Sequence, residues 1–368
     1  MVETAEDTLL SKTLHTLTRR QLIVIVVSVA ATALAAILHF TGAGAVLTFL
    51  VSGIALAMLA ALVGDATEQL GTRLGPGATG VLQSALGNLP ELFVGIFALR
   101  AGLVEVVQGA LIGSILGNSV LVLGLAFFVG GIRHGEQTFA SAAPRNMVTL
   151  TLLAVAALTV PTLAHLLHTP ANPHTEGLSI ACAIILLVVF IASIPVSLAG
   201  GPTSLPEEPA EARAHAWPLW LTVVMLVIAG VGAAFVSDWF ITALDPAIKA
   251  LHLSPTFTGL VIVALAGNAV ENVVGVQLMA GNKPDYAISV ILNSSLQVAL
   301  FLAPVLVLLS LVLGGAYLTL VVPPLMVVAL GLAAILGTII VYDGKSTWLE
   351  GLALIGLYCI IAVSFWWG

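Results

Sequence analysis

GNLPE at residues 87–91 and GNAVE at residues 267–271 repeat a glycine, an asparagine and a glutamate at the same spacing, each inside a long apolar stretch. Such stretches dominate the chain: 60% of its 368 residues are hydrophobic, 8% are charged, and mean hydropathy is +1.14. That composition excludes a water-soluble domain and points to a polytopic membrane protein, so the partner it implies is the lipid bilayer. A carboxylate near the centre of a membrane span costs about 2.5 to 3.5 kcal/mol on insertion scales, so each motif requires something that compensates for its glutamate. With so little charge the net value of −7 says nothing about nucleic acid, and because there is no basic tract long enough to hold a phosphate backbone no nucleic-acid partner is expected.

A bilayer core of about 30 Å takes roughly 20 apolar residues per helix, and cutting the chain at polar, Gly and Pro clusters gives about eleven segments. Their cores are 21–39, 43–64, 79–99, 105–130, 145–167, 178–199, 217–240, 256–280, 286–312, 317–342 and 349–367. The run from Gln21 to His39 is too long for the apolar part of a signal peptide and reads as a span. With the N-terminus cytoplasmic, Lys12, Arg19, Arg20, Arg73, Arg133, Arg145, Arg213, Lys283 and Lys345 all fall inside, leaving Arg100 and Lys249 outside. The expectation is an integral protein of the cell membrane with its N-terminus inside and its C-terminus outside.

The most polar internal connection, GGPTSLPEEPAEARAH at residues 200–215, divides the chain. It gives an N-terminal arm and first helix at 1–42, a first five-helix repeat at 43–199, an acidic cytoplasmic connection at 200–216 and a second five-helix repeat at 217–368. An odd number of spans per copy forces the second to enter the membrane inverted. A shift of 180 residues superimposes Gly87 on Gly267, Asn88 on Asn268, Glu91 on Glu271, Gly95 on Gly275, Glu105 on Asp285 and Ser114 on Ser294. The expected fold class is an all-α polytopic membrane protein of about eleven transmembrane helices, one helix plus two inverted five-helix repeats.

Asn88 is three residues from Glu91 and shares its helical face, while Pro90 removes the helical donor of the Leu86 carbonyl. Carboxylate, amide oxygen and freed carbonyl are hard donors that suit Ca²⁺ better than Zn²⁺ or Cu⁺. Asn268 and Glu271 repeat the set, but Val270 stands where Pro90 did, so a break there must come from Gly267 or its packing. Two carboxylates facing one midplane site either hold a divalent cation or, without it, take up protons, which is the behaviour of an exchanger. Ser114 and Asn118 in GSILGNS, and Ser294 and Gln297 in NSSLQ, add oxygens on shared helical faces.

The stretch GNLPELFVGIFALRAGLVEVVQGALIGSILGNSVLVLG resembles the first signature repeat of the Ca²⁺/H⁺ (cation/proton) antiporters of the cation/Ca²⁺ exchanger superfamily, and GNAVEN followed by SSLQVALFLAP resembles the second. The resemblance implies that Glu91 and Glu271 are the shared Ca²⁺ and proton sites, supported by Asn88, Asn268, Ser114, Asn118, Ser294 and Gln297. It also implies that Glu68 in GDATEQL matches an acidic accessory or gating position, with Asp238 in VSDWF as its approximate counterpart. Asn272 stands where the family often has histidine, and Asn293 where it has glycine. The sodium-coupled branch usually shows Thr-Ser in place of Gly-Asn, so Gly-Asn in both halves favours proton coupling.

The resulting expectation is a secondary antiporter that exports cytoplasmic Ca²⁺ in exchange for H⁺ by alternating access, rather than an enzyme. A Na⁺/Ca²⁺ exchanger and a cation channel are its rivals. Without a phosphate-binding loop an ATP-driven pump is unsupported; no cofactor is expected, Ca²⁺ being substrate, and no oligomeric state is implied. Glu68 and Asp238 have an equal alternative as solvated residues at span ends. Glu105 and Asp285 read as helix caps, Cys182 and Cys359 as small core residues, and His165, His168 and His174 as an external loop. Gly109, Gly113, Gly117 and Gly124 read as close-packing positions.

Overall fold

The apolar segments form helices whose ends are written locally in the sequence. In the computed structural model, residues 17–74, 83–140, 142–198 and 217–367 are described. The N-terminal arm to residue 16, with Lys12, and the acidic connection at 200–216, with Glu207, Glu208, Glu211 and Arg213, lie outside the described residues, as do the side chains of Arg145 and Glu271. The elements are α1 Arg19–Thr41, α2 Ala45–Leu74, a π-helical turn Gln83–Gly87 leading to α3 Leu89–Arg100, α4 Val104–His134, β1 Gln137–Thr138, α5 Ala142–Leu166 and α6 Thr175–Leu198. After the connection come α7 Leu219–Leu251, α8 Pro255–Gly267, α9 Ala269–Ala280, α10 Pro284–Ser310, α11 Pro324–Tyr342, β2 Lys345–Ser346 and α12 Trp348–Ser364. Reciprocal capping boxes, Thr18 with Gln21 and Thr347 with Glu350, start α1 and α12, and Gly42 at φ 67° stops α1 in the left-handed region.

Among the described residues seven helices, α1, α2, α4, α5, α6, α7 and α10, are long and apolar enough to cross a bilayer. The α8–α9 pair is bent by 61°, and α11 and α12 are shorter apolar helices. The segment expected at 79–99 begins outside the described residues. Three expected boundaries move. α2 runs past residue 64 to Leu74 and α7 past residue 240 to Leu251, because polar residues that end a hydropathy window do not end a helix. The helix expected at 317–342 starts only at Pro324. Pro323 and Pro324 bias the residues before them toward extended backbone, and side chains from neighbouring helices satisfy that backbone, as described below.

α2 and α7 form the most extensive helix pair, with Phe49 stacked on Phe240 at 4.8 Å and Gly53 against the same ring. The C-terminal end of α2 and the N-terminal end of α7 are tied by Trp217, which is fully buried: its N–H donates to Gln69 Oε1 at 2.9 Å, its carbonyl accepts from Arg73 Nη2 at 2.5 Å, and its indole donates to Gln21 Oε1 at 3.3 Å. α4 packs on α8 where Gly109 meets the Thr256 carbonyl and Gly113 the Leu260 carbonyl, and on α12 where Gly124 meets the Gly351 carbonyl. These three glycines are close-packing positions as expected. Gly117 is not, since a Cβ there would meet nothing within 4 Å. Cys359 is exposed on α12 rather than in the core, and Cys182 is half-buried.

β1 pairs antiparallel with β2, Gln137 opposite Ser346, joining the α4–α5 and α11–α12 connections at one end of the molecule. Lys345 on this ribbon contacts Glu136 at 2.7 Å, and the hydrogen bond and charge of Glu136 hold its ammonium above the ordinary 10.5. His165 and His168 are exposed at the opposite end, with His165 Nδ1 2.8 Å from Asn172 Oδ1.

Candidate functional site

Both motifs break a helix at their asparagine. Asn88 has φ −91° and ψ 17°, and Asn268 has φ −95° and ψ 18°, so the second motif achieves the same bridge-region kink without a proline. α3 and α9 each begin one residue later, which makes Glu91 and Glu271 the third residue of their helices. The positive end of a helix favours a carboxylate in its first turn, and this is the compensation the sequence demanded for a glutamate inside a membrane. Glu91 packs directly against the other motif: a Cβ placed on Gly267 would lie 2.9 Å from Glu91 Cγ and 3.2 Å from its Oε1. Glu271 shares this junction by backbone position only, its side chain lying outside the described residues.

The supporting residues form cross-connections between the halves. Asn88 Nδ2 donates to Gln297 Oε1 at 3.2 Å; Asn118 Nδ2 donates to Asn268 Oδ1 at 3.1 Å and Ser294 Oγ at 2.9 Å; Asn268 Nδ2 donates to Ser114 Oγ at 2.8 Å and to the Ala264 carbonyl at 2.9 Å. All six of these side chains are buried. The Asn88–Gln297 and Asn268–Asn118 pairs exchange under the motif shift, with the one-residue slip between Asn118 and Gln297. π-helical segments at Gly117–Val122 in α4 and Val298–Leu302 in α10 lie beside these residues. Asn118 spends both amide protons, and its buried Oδ1 has no donor. A cation can take that oxygen without breaking a hydrogen bond.

A small cavity of about 30 Å³ lies against Glu91 and Ser114 and along α3 past Gly95 and Ala98, walled otherwise by apolar side chains such as Phe240 and Leu306. Among the described residues its polar side chains are Glu91 and Ser114. Among the described residues there is no cluster of three His, Cys, Asp or Glu side chains, so the donors gathered here are carboxylate, amide and hydroxyl oxygens.

The profile of the sodium/calcium exchanger protein family matches residues 44–199 and 221–367. The chain belongs to this family. A Ca²⁺/H⁺ antiporter of Synechocystis sp. is 35% identical over 347 residues, covering 89% of this exchanger and 92% of the relative. A vacuolar calcium ion transporter of Schizosaccharomyces pombe is 32% identical over 327 residues, covering 87% and 79% of the two chains. The solved structure of YfkE, a Ca²⁺/H⁺ antiporter protein, superimposes with a TM-score of 0.80 at 30% identity, covering 93% of this exchanger and 99% of that chain.

Glu68 is exposed toward the C-terminal end of α2, and Asp238 is exposed beside Trp239, which stacks on His39 at the far end of α1. In GDATEQL the buried acid is Asp65, which sequence reasoning passed over; it is 8% exposed, and Arg20 on α1 is the cation whose charge reaches it. A helical wheel of α2 was the signal that could have found it, since Asp65 lies two turns beyond Met58, whose carbonyl binds Ser28 of α1. Glu105 and Asp285 sit in the first turns of α4 and α10 rather than at the caps, which are Leu103 and Lys283. Asn272, at the departure from the family pattern, has a buried Oδ1 without a partner.

Proposed function

We propose that the protein is a Ca²⁺/H⁺ antiporter that exports cytoplasmic Ca²⁺ against entering protons by alternating access at a site shared by Glu91 and Glu271. The observation that carries the reading is the contact between halves, in which Glu91 packs on Gly267 while Asn118 bridges Asn268 and Ser294. Glu91 and Glu271 hold Ca²⁺ with amide and hydroxyl oxygens around them, and both carboxylates take up protons when the cation leaves. Rocking of helices about the junction would open the site to one side of the membrane and then to the other. The two profile matches, with the like kinks at Asn88 and Asn268, support inverted repeats at 43–199 and 217–368. The charge distribution supports an inside N-terminus. The protein resides in the cell membrane under this reading, whereas several of the relatives are vacuolar by name.

The test is ⁴⁵Ca²⁺ uptake into proteoliposomes driven by a pH gradient. Wild type takes up Ca²⁺, and Glu91→Gln and Glu271→Gln each lose nearly all uptake; robust uptake by either variant removes that residue from the mechanism. The family profile's description favours one second reading, Na⁺/Ca²⁺ exchange. Under that reading uptake follows a sodium gradient and ignores the pH gradient.

A further inference from the structure

The last carbonyls of a helix have no partner within it, and in a bilayer no water supplies one. At the end of α3 the Leu99 carbonyl accepts from the Gly102 N–H of its own turn at 3.0 Å and from the Ala316 N–H at 3.1 Å, and a Cβ on Gly315 would lie 2.6 Å from that same oxygen. At the end of α9 the Met279 carbonyl accepts from the Asn282 N–H of its own turn at 3.0 Å and, at 3.4 Å, from Gln137 Nε2, and the Ala280 carbonyl lies 2.9 Å from His134 Nε2. Leu99 and Met279 are 180 residues apart, the shift that superimposes the motifs. Each lies eight residues beyond its motif glutamate, about 12 Å along the helix.

The strap on α3 belongs to the second half and the strap on α9 to the first. They lie at opposite ends of α4, which starts beside the end of α3 and, after 31 residues, finishes beside the end of α9.

Both straps are backbone outside a helix, fastened at several points. In the first, Leu318, Leu320 and Val322 donate their N–H groups to Ser310 Oγ, Ser179 Oγ and Thr162 Oγ1 at 3.0, 2.9 and 3.1 Å. Gln108 Nε2 donates to the Thr319 and Val321 carbonyls at 3.0 and 2.8 Å. In the second, Gln137 is 4% exposed and also donates to Asn282 Oδ1 at 2.7 Å, while the Ala140 N–H donates to Asp285 Oδ1 at 2.7 Å. Gly130 leaves the room this needs, since a Cβ there would meet Gln137 Oε1 and Met279 Cγ.

We propose that the straps are crossed braces, each half fixing the axial position of the other half's glutamate helix, and that Gln137 is the positioning residue for α9. This rests on the exchange reading, through which a displaced α9 registers as altered Ca²⁺ affinity. In proteoliposomes, Gln137→Ala raises the half-saturating Ca²⁺ concentration about three- to tenfold, the ratio corresponding to the net worth of one lost hydrogen bond, with maximal rate per assembled protein little changed. Gln137→Glu, which keeps the length and an acceptor but loses the donors, behaves like alanine, and Gln137→His, which restores a donor, recovers part of the affinity.

Equal half-saturation in wild type and Gln137→Ala, with only abundance or melting temperature lowered, overturns the brace and leaves exchange standing. If Gln137→Ala does not assemble, Gln137→Asn, one methylene short, carries the same two readings. Should wild type show no pH-driven uptake, the exchange reading fails, and amide hydrogen exchange in detergent decides the brace by itself. Faster exchange at residues 277–283 in the variant supports it, and unchanged exchange refutes it.

Discussion

Replacing Gly267 with alanine adds one methyl group at the contact between the two motifs. Its Cβ would stand 2.9 Å from Glu91 Cγ, 3.3 Å from Cδ and 3.2 Å from Oε1, whereas ordinary contact begins at 3.4 Å. Gly267 has no positive φ, so its backbone accepts alanine, and within a helix the change from glycine favours the fold by up to about 1 kcal/mol. The steric demand therefore falls on the Glu91 side chain, which has to swing several tenths of an ångström or leave its rotamer. Overpacking of this kind costs about 1 to 3 kcal/mol. If that cost is levied on the ion-holding position of Glu91, the half-saturating Ca²⁺ concentration rises roughly 5- to 150-fold at 1.4 kcal/mol per decade. The assay is ⁴⁵Ca²⁺ uptake against free Ca²⁺ in proteoliposomes, paired with thermal unfolding in detergent. A variant with the melting temperature of wild type and half-saturation within twofold of it would refute the assignment of Glu91 to the ion.

Asn268→Ala removes three hydrogen bonds, to Ser114, to the Ala264 carbonyl and from Asn118. Two of the three are interhelical, and such bonds in bilayers average about 0.6 kcal/mol, so the expected loss is about 1 kcal/mol of stability, read by thermal unfolding, together with loss of most uptake. Trp217→Ala empties a fully buried site and cuts the tie between α7, α1 and α2. It is expected to cost about 3 to 5 kcal/mol in the same melt while leaving half-saturation of the assembled fraction unchanged; an unchanged melt would show that Trp217 does not bear on the fold.

The sequence disclosed what is chemically rare in it. Polar side chains are scarce inside the apolar segments, so their recurrence at one shift revealed Asn88, Asn268, Ser114, Asn118, Ser294 and Gln297, the same residues that meet across the junction. What stayed hidden depends on partners distant in sequence. Residues 316–322 are apolar enough to read as the start of a span, and the hydroxyls of Thr162, Ser179 and Ser310 together with the Gln108 amide make their backbone tolerable outside a helix. Gln108 and Gln137 look like incidental polar residues until the carbonyls they satisfy are seen. Glu68 and Asp65 stand three residues apart on one helix, and which of them is buried is decided by the packing of α1 on α2 rather than by either residue.

The break at each asparagine makes the two halves alike in backbone while leaving them unlike in chemistry. Pro90 fixes the first kink through its ring; the second has Val270 in that place and keeps its kink beside a glycine pressed on Glu91. An exchanger built on these motifs thus has a kink locked by covalent geometry in one half and a kink held by packing in the other. The packed kink is the softer of the two, because its cost of straightening is set by contacts that a moving Glu91 itself alters. Under the proposed exchange, loading or emptying Glu91 would change the support of the α8–α9 bend directly, and so would couple occupancy of the site to the shape of the second half without any relay between them.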